Sequence, residues 1–195
     1  MASPRGTLIV IAGPSGVGKG SVVRRLLERD PDGLAYSVSV KTRAPRPDES
    51  HGREYYFISE DEFDRMVRDD ELLEWAPFVD HRSGTPRRFV ERSLESGRDV
   101  ILEIDVKGAE QVRQRVKDAV LVFLAPPSMG ELERRLRGRG TEDDERIAKR
   151  LETAEWEMTQ RGWFDHEVVN DDLVHASEQV AAIIDASRAG RPAAG

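Results

Sequence analysis

The 195-residue sequence contains no cysteine, so disulfides, thiolate catalysis and Cys-ligated metals are excluded. Lysine is scarce: Lys19, Lys41, Lys107, Lys117 and Lys149 are all there is among 30 basic residues, and the rest are arginine. Genome composition produces such a bias, and so does phosphate recognition, which favours the planar guanidinium fork. Positive charge is also short overall, with a formal net charge of -7. That argues against a general nucleic-acid binder with a broad basic face, but leaves room for a local basic pocket. No apolar run near the start is long enough for a membrane span: Thr7 to Ala12 is brief, and the polar residues before it lack the layout of a signal peptide. The expectation is a cytoplasmic protein without membrane or nucleic-acid partners. His51, His81, His166 and His175 are scattered and form no metal-ligand spacing. The length suits one domain with inserted lobes.

Short apolar runs alternate with longer helix-like stretches, which points to an α/β fold with a parallel sheet. Leu8 to Ile11, Leu34 to Val40, Val100 to Ile104, Val120 to Leu124 and a short strand beginning at Val168-Val169 read as strands. Ser21 to Arg29 reads as an amphipathic helix with Val22, Val23, Leu26 and Leu27 on one face. Further helices fit residues 107–117, 128–137, 143–161 and 173–188. Residues 41–98 interrupt the alternation with a Pro/Arg-rich loop (Thr42 to Pro47), an aromatic strand (Tyr55-Tyr56-Phe57), a helix near 60–69 and a Gly-centred turn at Ser83-Gly84-Thr85. They read as an inserted lobe. Residues 137–149, rich in Arg, Gly and acids, read as a small mobile lid. The core is then 6–40, 99–136 and 150–188, with a frayed tail at 189–195.

Gly13-Pro14-Ser15-Gly16-Val17-Gly18-Lys19 follows a strand and opens a helix, the context of a phosphate-binding P-loop. Glycines let backbone N–H groups approach phosphate oxygens, the helix N-terminus faces the anion, and Lys19 reaches the β- and γ-phosphates of ATP. Gly20 stands where Ser or Thr is common, and Ser21 supplies a hydroxyl one residue later. A Mg²⁺ bound with ATP is therefore expected to be held mainly by phosphates and water, with Ser21 touching the metal, a phosphate or only the backbone. The tryptophans Trp75, Trp156 and Trp163 read as packing residues.

Beyond the loop, Ser37-Val38-Ser39-Val40-Lys41-Thr42-Arg43-Ala44-Pro45-Arg46-Pro47 is followed by Glu49, Gly52 and Tyr55. Then come Leu73-Glu74-Trp75, Gly84-Thr85, Leu102-Glu103-Ile104-Asp105, Ala125-Pro126-Pro127-Ser128, Arg137-Gly138-Arg139-Gly140-Thr141 and Val169-Asn170-Asp171-Asp172. In this order, over residues 6–187, these motifs resemble the guanylate kinases.

The resemblance implies a three-layer P-loop fold with a five-stranded parallel core sheet, an inserted GMP-binding lobe and a short lid. It implies phosphoryl transfer from Mg²⁺-bound ATP to GMP and dGMP. Arg43 and Arg46 would clamp the acceptor phosphate, with Ser39 and Tyr55 adding hydrogen bonds, although Tyr55 also suits a strand core. Glu74, otherwise an ordinary surface residue, would accept guanine N1–H and N2–H₂, with Thr85 and Asp105 also reaching the base. Arg139 and Arg150 would close over the transferring group, Arg135 would flank ATP, and Asn170 would lie near adenine. Some of these arginines also suit helix ion pairs with Glu131, Glu133 or Glu145.

Two positions depart from the family pattern. Ser83 stands for a common tyrosine, whose contact to the GMP phosphate is then either missing or replaced by His81 or Arg82, and Glu103 stands for a common aspartate. The rival readings are a non-catalytic guanylate-kinase-like scaffold module and a kinase for a phosphorylated sugar. The intact P-loop argues against the first, and the Ser39, Arg43, Arg46, Tyr55, Glu74 and Thr85 set against the second.

Overall fold

The computed structural model describes residues 4–46, 49–77, 80–138 and 143–190. Pro47, Arg139, Gly140, Thr141 and most of the tail lie outside the described residues.

Strand β1 (Leu8–Ala12) is buried at all five positions, as expected for a central strand of a sheet covered on both faces. It pairs in parallel with β7 (Asp99–Glu103) on one side and β8 (Val120–Ala125) on the other. Outer strands β2 (Leu34–Tyr36) and β9 (His166–Val169) complete a five-stranded parallel sheet in the order β2-β7-β1-β8-β9. Helices α1 (Lys19–Arg29), α5 (Met129–Arg137), α6 (Asp144–Thr159) and α7 (Leu173–Ala189) share one core with it, built on Ile9, Ile11, Leu26, Ile101, Leu124 and Leu132. Helices α3 (Arg87–Glu95) and α4 (Val106–Arg115) share the other, on Leu8, Val10, Val90, Leu102, Val112 and Leu121.

A second sheet holds β3 (Val40–Lys41), β4 (Tyr56–Phe57), β5 (Leu72–Pro77) and β6 (Arg82–Pro86) in the order β4-β3-β6-β5. Helix α2 (Glu60–Arg68) covers it through Phe63, which packs with Val40 and Leu72. Side-chain hydrogen bonds tie this sheet to α4. Gln111 accepts from Trp75 N (3.2 Å) and donates to Trp75 O (2.9 Å), and Arg115 donates to Leu72 O at 2.8 Å. Gln111 thus satisfies a sheet edge that would otherwise present unpaired backbone groups.

Several sequence expectations are corrected. The strand expected over 34–40 is two strands in two sheets: Ser37 N makes a last bond to Ile101 O (3.2 Å) before the chain crosses over. Alternation is the same on both sides of such a crossing, so it carries no signal. Gly84 lies in strand β6, not a turn. A Cβ there would stand 2.9 Å from Leu72 Cδ1 and 3.0 Å from Glu74 O, so close strand packing requires glycine. Val168-Val169 ends β9, whose first residues are exposed and polar. Trp156 is 42% exposed, with the Lys107 ammonium 5.5 Å from its ring, whereas Trp75 packs edge-on to Phe63 and Trp163 stacks on Phe164.

Candidate active site

The sheet's carboxyl edge at β1 leads straight into the glycine loop. Gly16 and Gly18 have φ of 91° and 102°, left-handed conformations that side chains resist. A Cβ on Gly18 would also sit 2.5 Å from Asn170 Nδ2. No side chain caps α1 at Gly18 and its first turn holds no acid, so its N-terminal dipole is left for an anion. Lys19 Nζ donates to Gly13 O (2.6 Å) and Pro14 O (3.1 Å), which arches the loop over its own lysine. Behind the loop, Asn170 Nδ2 donates to Val17 O (2.7 Å). Arg135 donates to Val17 O (3.3 Å), Asn170 O (2.9 Å) and Glu131 (2.8 Å). Arg150 of α6 reaches Ser15 Oγ at 3.4 Å.

Two hollows meet here. One, of about 420 Å³, is lined by the glycine loop from Ser15 to Ser21, Arg24 and Glu103. The other, of about 380 Å³, opens toward the second sheet and shares Ser15, Lys19 and Glu103 with the first. Glu103 therefore stands at the border. Burial raises its pKa, and Lys19 and Lys41 pull it back down. A Cβ on Gly20 would lie 3.3 Å from Glu103 Oε2, so the glycine leaves room for this longer carboxylate.

Ser39, Tyr55, Glu74, Ser83 and Asp105 line the second hollow. Glu74, on β5, is only 5% exposed, and Thr85 Oγ1 on the neighbouring β6 donates to its Oε1 at 2.6 Å. Burial lifts the Glu74 pKa to about 7; the Thr85 hydroxyl opposes this and the Asp105 charge adds to it. Asp105 is the N-cap of α4, accepting from Gly108 N at 2.7 Å. A Cβ on Gly108 would stand 2.8 Å from Glu74 Oε2, so a larger residue there would push this carboxylate aside.

The two loop arginines behave differently. Arg43 gives its fork to Glu49 in a bidentate pair (2.6 and 2.7 Å), and the Arg46 backbone N–H donates to the same carboxylate at 2.9 Å. The guanidinium of Arg43 beside it holds the Glu49 pKa down at about 2. The Arg46 side chain is exposed. Of the two proposed substitutes for tyrosine at position 83, Arg82 is engaged with Glu60 and Asp64 of α2 and His81 with Asp80 (2.7 Å).

The fold thus gathers Gly13 to Ser21, Ser39, Tyr55, Glu74, Ser83, Thr85, Glu103, Asp105 and Arg150 around one cleft. Arg135 and Asn170 brace the loop from behind, and Arg43 and Arg46 stand on the loop after β3. Arg139 lies outside the described residues. Sequence reasoning missed Lys41, Tyr36 and Glu157, which also line the second hollow. Only Lys41 carried a signal: it lies two residues from both Ser39 and Arg43 in the motif.

A family model for guanylate kinase matches residues 5–187. A guanylate kinase of Thermus thermophilus is 51% identical over 188 residues, covering 96% of this chain and 83% of that protein. One of Thermobifida fusca is 52% identical over 177 residues, covering 91% and 90%. The crystal structure of guanylate kinase from Anaplasma phagocytophilum superimposes with a TM-score of 0.77 at 30% identity, over 95% of this chain and 88% of that one. Cleft, fold and relatives agree, and the chain belongs to the guanylate kinase family.

Proposed function

We propose that the protein transfers the γ-phosphoryl group of ATP to GMP, and to dGMP, giving ADP and GDP. A GMP phosphate oxygen attacks the γ-phosphorus in line, the bond to the β–γ bridging oxygen breaks, and ADP leaves with that electron pair. No general base takes part, because the acceptor oxygen is already anionic at neutral pH. Transfer of this kind depends on positioning and electrostatics rather than covalent chemistry.

The observation that carries this reading is the buried Glu74–Thr85 pair at the far end of the cleft that begins at the glycine loop. A carboxylate accepts guanine N1–H and N2–H₂ together. Adenine presents a ring acceptor at that place and leaves the carboxylate desolvated and unpaired, which discriminates strongly. In this reading, β3 to β6 form the acceptor lobe and Asp105 supports the base. Ser39, Tyr55, Arg43 and Arg46 hold the acceptor phosphate. Lys19 neutralises the donor phosphates, Arg139 and Arg150 close with residues 137–149 over the transfer, and Arg135 and Asn170 hold the loop beside the nucleotide. The acceptor phosphate must compete with Glu49 for the Arg43 fork.

Among the described residues no group of three or more His, Asp or Glu could hold a metal alone. The oxygen donors Ser21 and Glu103 beside the glycine loop suit Mg²⁺ carried in by the nucleotide. Bound there, Mg²⁺ offsets charge on the phosphates. Closure of the lobes excludes water, so that ATP is not hydrolysed. A place in the cytoplasm fits this activity; no described helix is long and apolar enough to cross a membrane.

The test is a coupled ADP-release assay with GMP, dGMP, AMP, UMP and ribose phosphates as acceptors. GMP and dGMP are expected to be turned over and the others not. Preference for AMP, UMP or a sugar phosphate, or no turnover with GMP, refutes the proposal.

A further inference from the structure

Lys41 occupies an unusual place for a lysine. It is partly buried on β3, and its Cα stands opposite Ser83 on β6. Both residues line the acceptor side of the cleft, and the short Ser83 side chain leaves the space in front of it open. The Lys41 ammonium sits 3.5 Å from the centroid of the Tyr55 ring. No carboxylate stands within ion-pair distance of it among the described residues. A desolvated cation gains part of its stabilisation from an aromatic face, but a full counter-charge requires an anion.

We propose that Lys41 is a phosphate-binding residue of the acceptor site, carrying its ammonium between the arginine loop and the donor-side Lys19. This deepens the GMP reading and rests on it. Ser39 and Lys41 line the same hollow, and the Arg43 guanidinium lies 5.6 Å from the Tyr55 ring that the Lys41 ammonium also approaches. Glu103 lies within electrostatic reach of both Lys41 and Lys19, and all three line the hollow that runs from the acceptor side to the glycine loop. A compact ammonium there supplies a point charge, complementing the planar forks of Arg43 and Arg46.

The proposal has a protonation signature. Burial brings the Lys41 pKa down to about 8, Arg43 and Arg46 push the same way, and Glu49 and Glu103 oppose them. The charged and titratable groups facing Lys41 are Arg43, Arg46 and Glu49 from the loop, Tyr55 from beside β4 and Glu103 from β7. On the paired β6 the residue opposite Lys41 is the neutral Ser83, and the neighbouring Arg82 is engaged with Glu60 and Asp64. The free protein therefore loses this charge as pH rises through about 8. A bound phosphate dianion favours the ammonium and raises its pKa again, so GMP binding takes up a proton just above that pH.

The experiment compares wild type, Lys41→Met and Lys41→Arg as full chains. Steady-state kinetics give KM for GMP and for ATP. Titration calorimetry with GMP at about pH 8.5, in two buffers of different ionisation enthalpy, gives protons taken up. Lys41→Met is expected to raise KM for GMP about tenfold or more, as one charge-assisted contact is lost, and to abolish proton uptake, with KM for ATP changed less than about twofold. Lys41→Arg is expected to restore most of the GMP affinity without the titration near pH 8, which separates a charge role from mere packing. A KM for GMP within about twofold of wild type in Lys41→Met, equal losses for GMP and ATP, or undiminished proton uptake overturns the proposal while leaving wild-type GMP kinase activity intact. Absence of GMP turnover by the wild type overturns the GMP reading and this inference with it.

Discussion

Replacing Glu74 by glutamine should separate guanine recognition from everything else the cleft does. In the proposed reading the carboxylate accepts two donors from the base, and hydrogen bonds to a charged group are worth about 1.5–3 kcal/mol each. Glutamine keeps one acceptor oxygen and turns an NH₂ toward the second donor. The loss is about 3–5 kcal/mol, or roughly 10²–10⁴ in kcat/KM for GMP. KM for ATP should hardly change, because Glu74 lines only the acceptor hollow. The empty protein should respond in the opposite sense. The Glu74 carboxyl titrates at about 7 in the fold against 4.5 in the unfolded chain, a rise caused chiefly by burial. Stability tied to that raised value is fully present below pH 4.5 and is lost as pH climbs through about 7. The ionised group therefore costs the fold about 3 kcal/mol at pH 8. Glu74→Gln should consequently raise Tm at pH 8 and leave it little changed at pH 4. Wild-type kcat/KM for GMP should also fall below pH 7, whereas the variant should keep only the limb near pH 6 that belongs to the nucleotide phosphate itself. Coupled kinetics across pH, with differential scanning fluorimetry at the two pH values, provide all these readings. Equal losses for ATP and GMP, or an acid limb unmoved by the substitution, would refute this assignment of Glu74.

Gly108→Ala should crowd Glu74 Oε2, at 2.8 Å from the new Cβ, and raise KM for GMP while sparing KM for ATP in the same assay. If Lys19 serves the donor phosphates as proposed, Lys19→Ala should cut turnover to below about one-thousandth of wild type, with an unchanged circular dichroism spectrum. Gly18→Ala strains a left-handed residue and drives a methyl to within 2.5 Å of Asn170 Nδ2, so both Tm and KM for ATP should worsen. Arg188 is a contrasting case. It donates to the buried Asp99 at 2.6 Å and pairs with Asp30 at 2.7 Å, remote from the cleft. Arg188→Met should cost about 2–4 kcal/mol in urea unfolding with both KM values unaltered.

The residues most legible in the sequence are those whose chemistry fixes both type and spacing. The glycine loop sits where a buried apolar strand becomes a helix, and backbone contact with phosphate admits few substitutes for Gly16, Gly18 or Lys19. The parallel core was readable from its apolar runs: β1 and β8 are unbroken, and β7 carries Val100-Ile101-Leu102 between Asp99 and Glu103. The second lobe was harder. Strand β5 carries a charged residue at its buried centre, Glu74, which an apolar-pattern reading sends to the surface. Helix α3 buries only Val90 and Leu94 and shows no run long enough to announce itself. Partner choice was out of reach as well. Spacing suggested an arginine clamp, but nothing in one dimension says that Glu49 takes the Arg43 fork, or that Gln111 closes the edge of β5. Lys41 was visible by its spacing, yet the motif drew attention to the residues on either side of it.

The most direct test of the central claim, one cleft with a donor end at the glycine loop and a guanine-reading end at Glu74, is a crystal structure with GMP and a non-hydrolysable ATP analogue. Expected are the analogue's phosphates on the Gly13 to Ser21 backbone, guanine N1–H and N2–H₂ on the Glu74 carboxylate, and the two phosphate groups facing each other beside Glu103. GMP bound away from the Glu74–Thr85 pair, or its phosphate turned away from the glycine loop, would contradict the account.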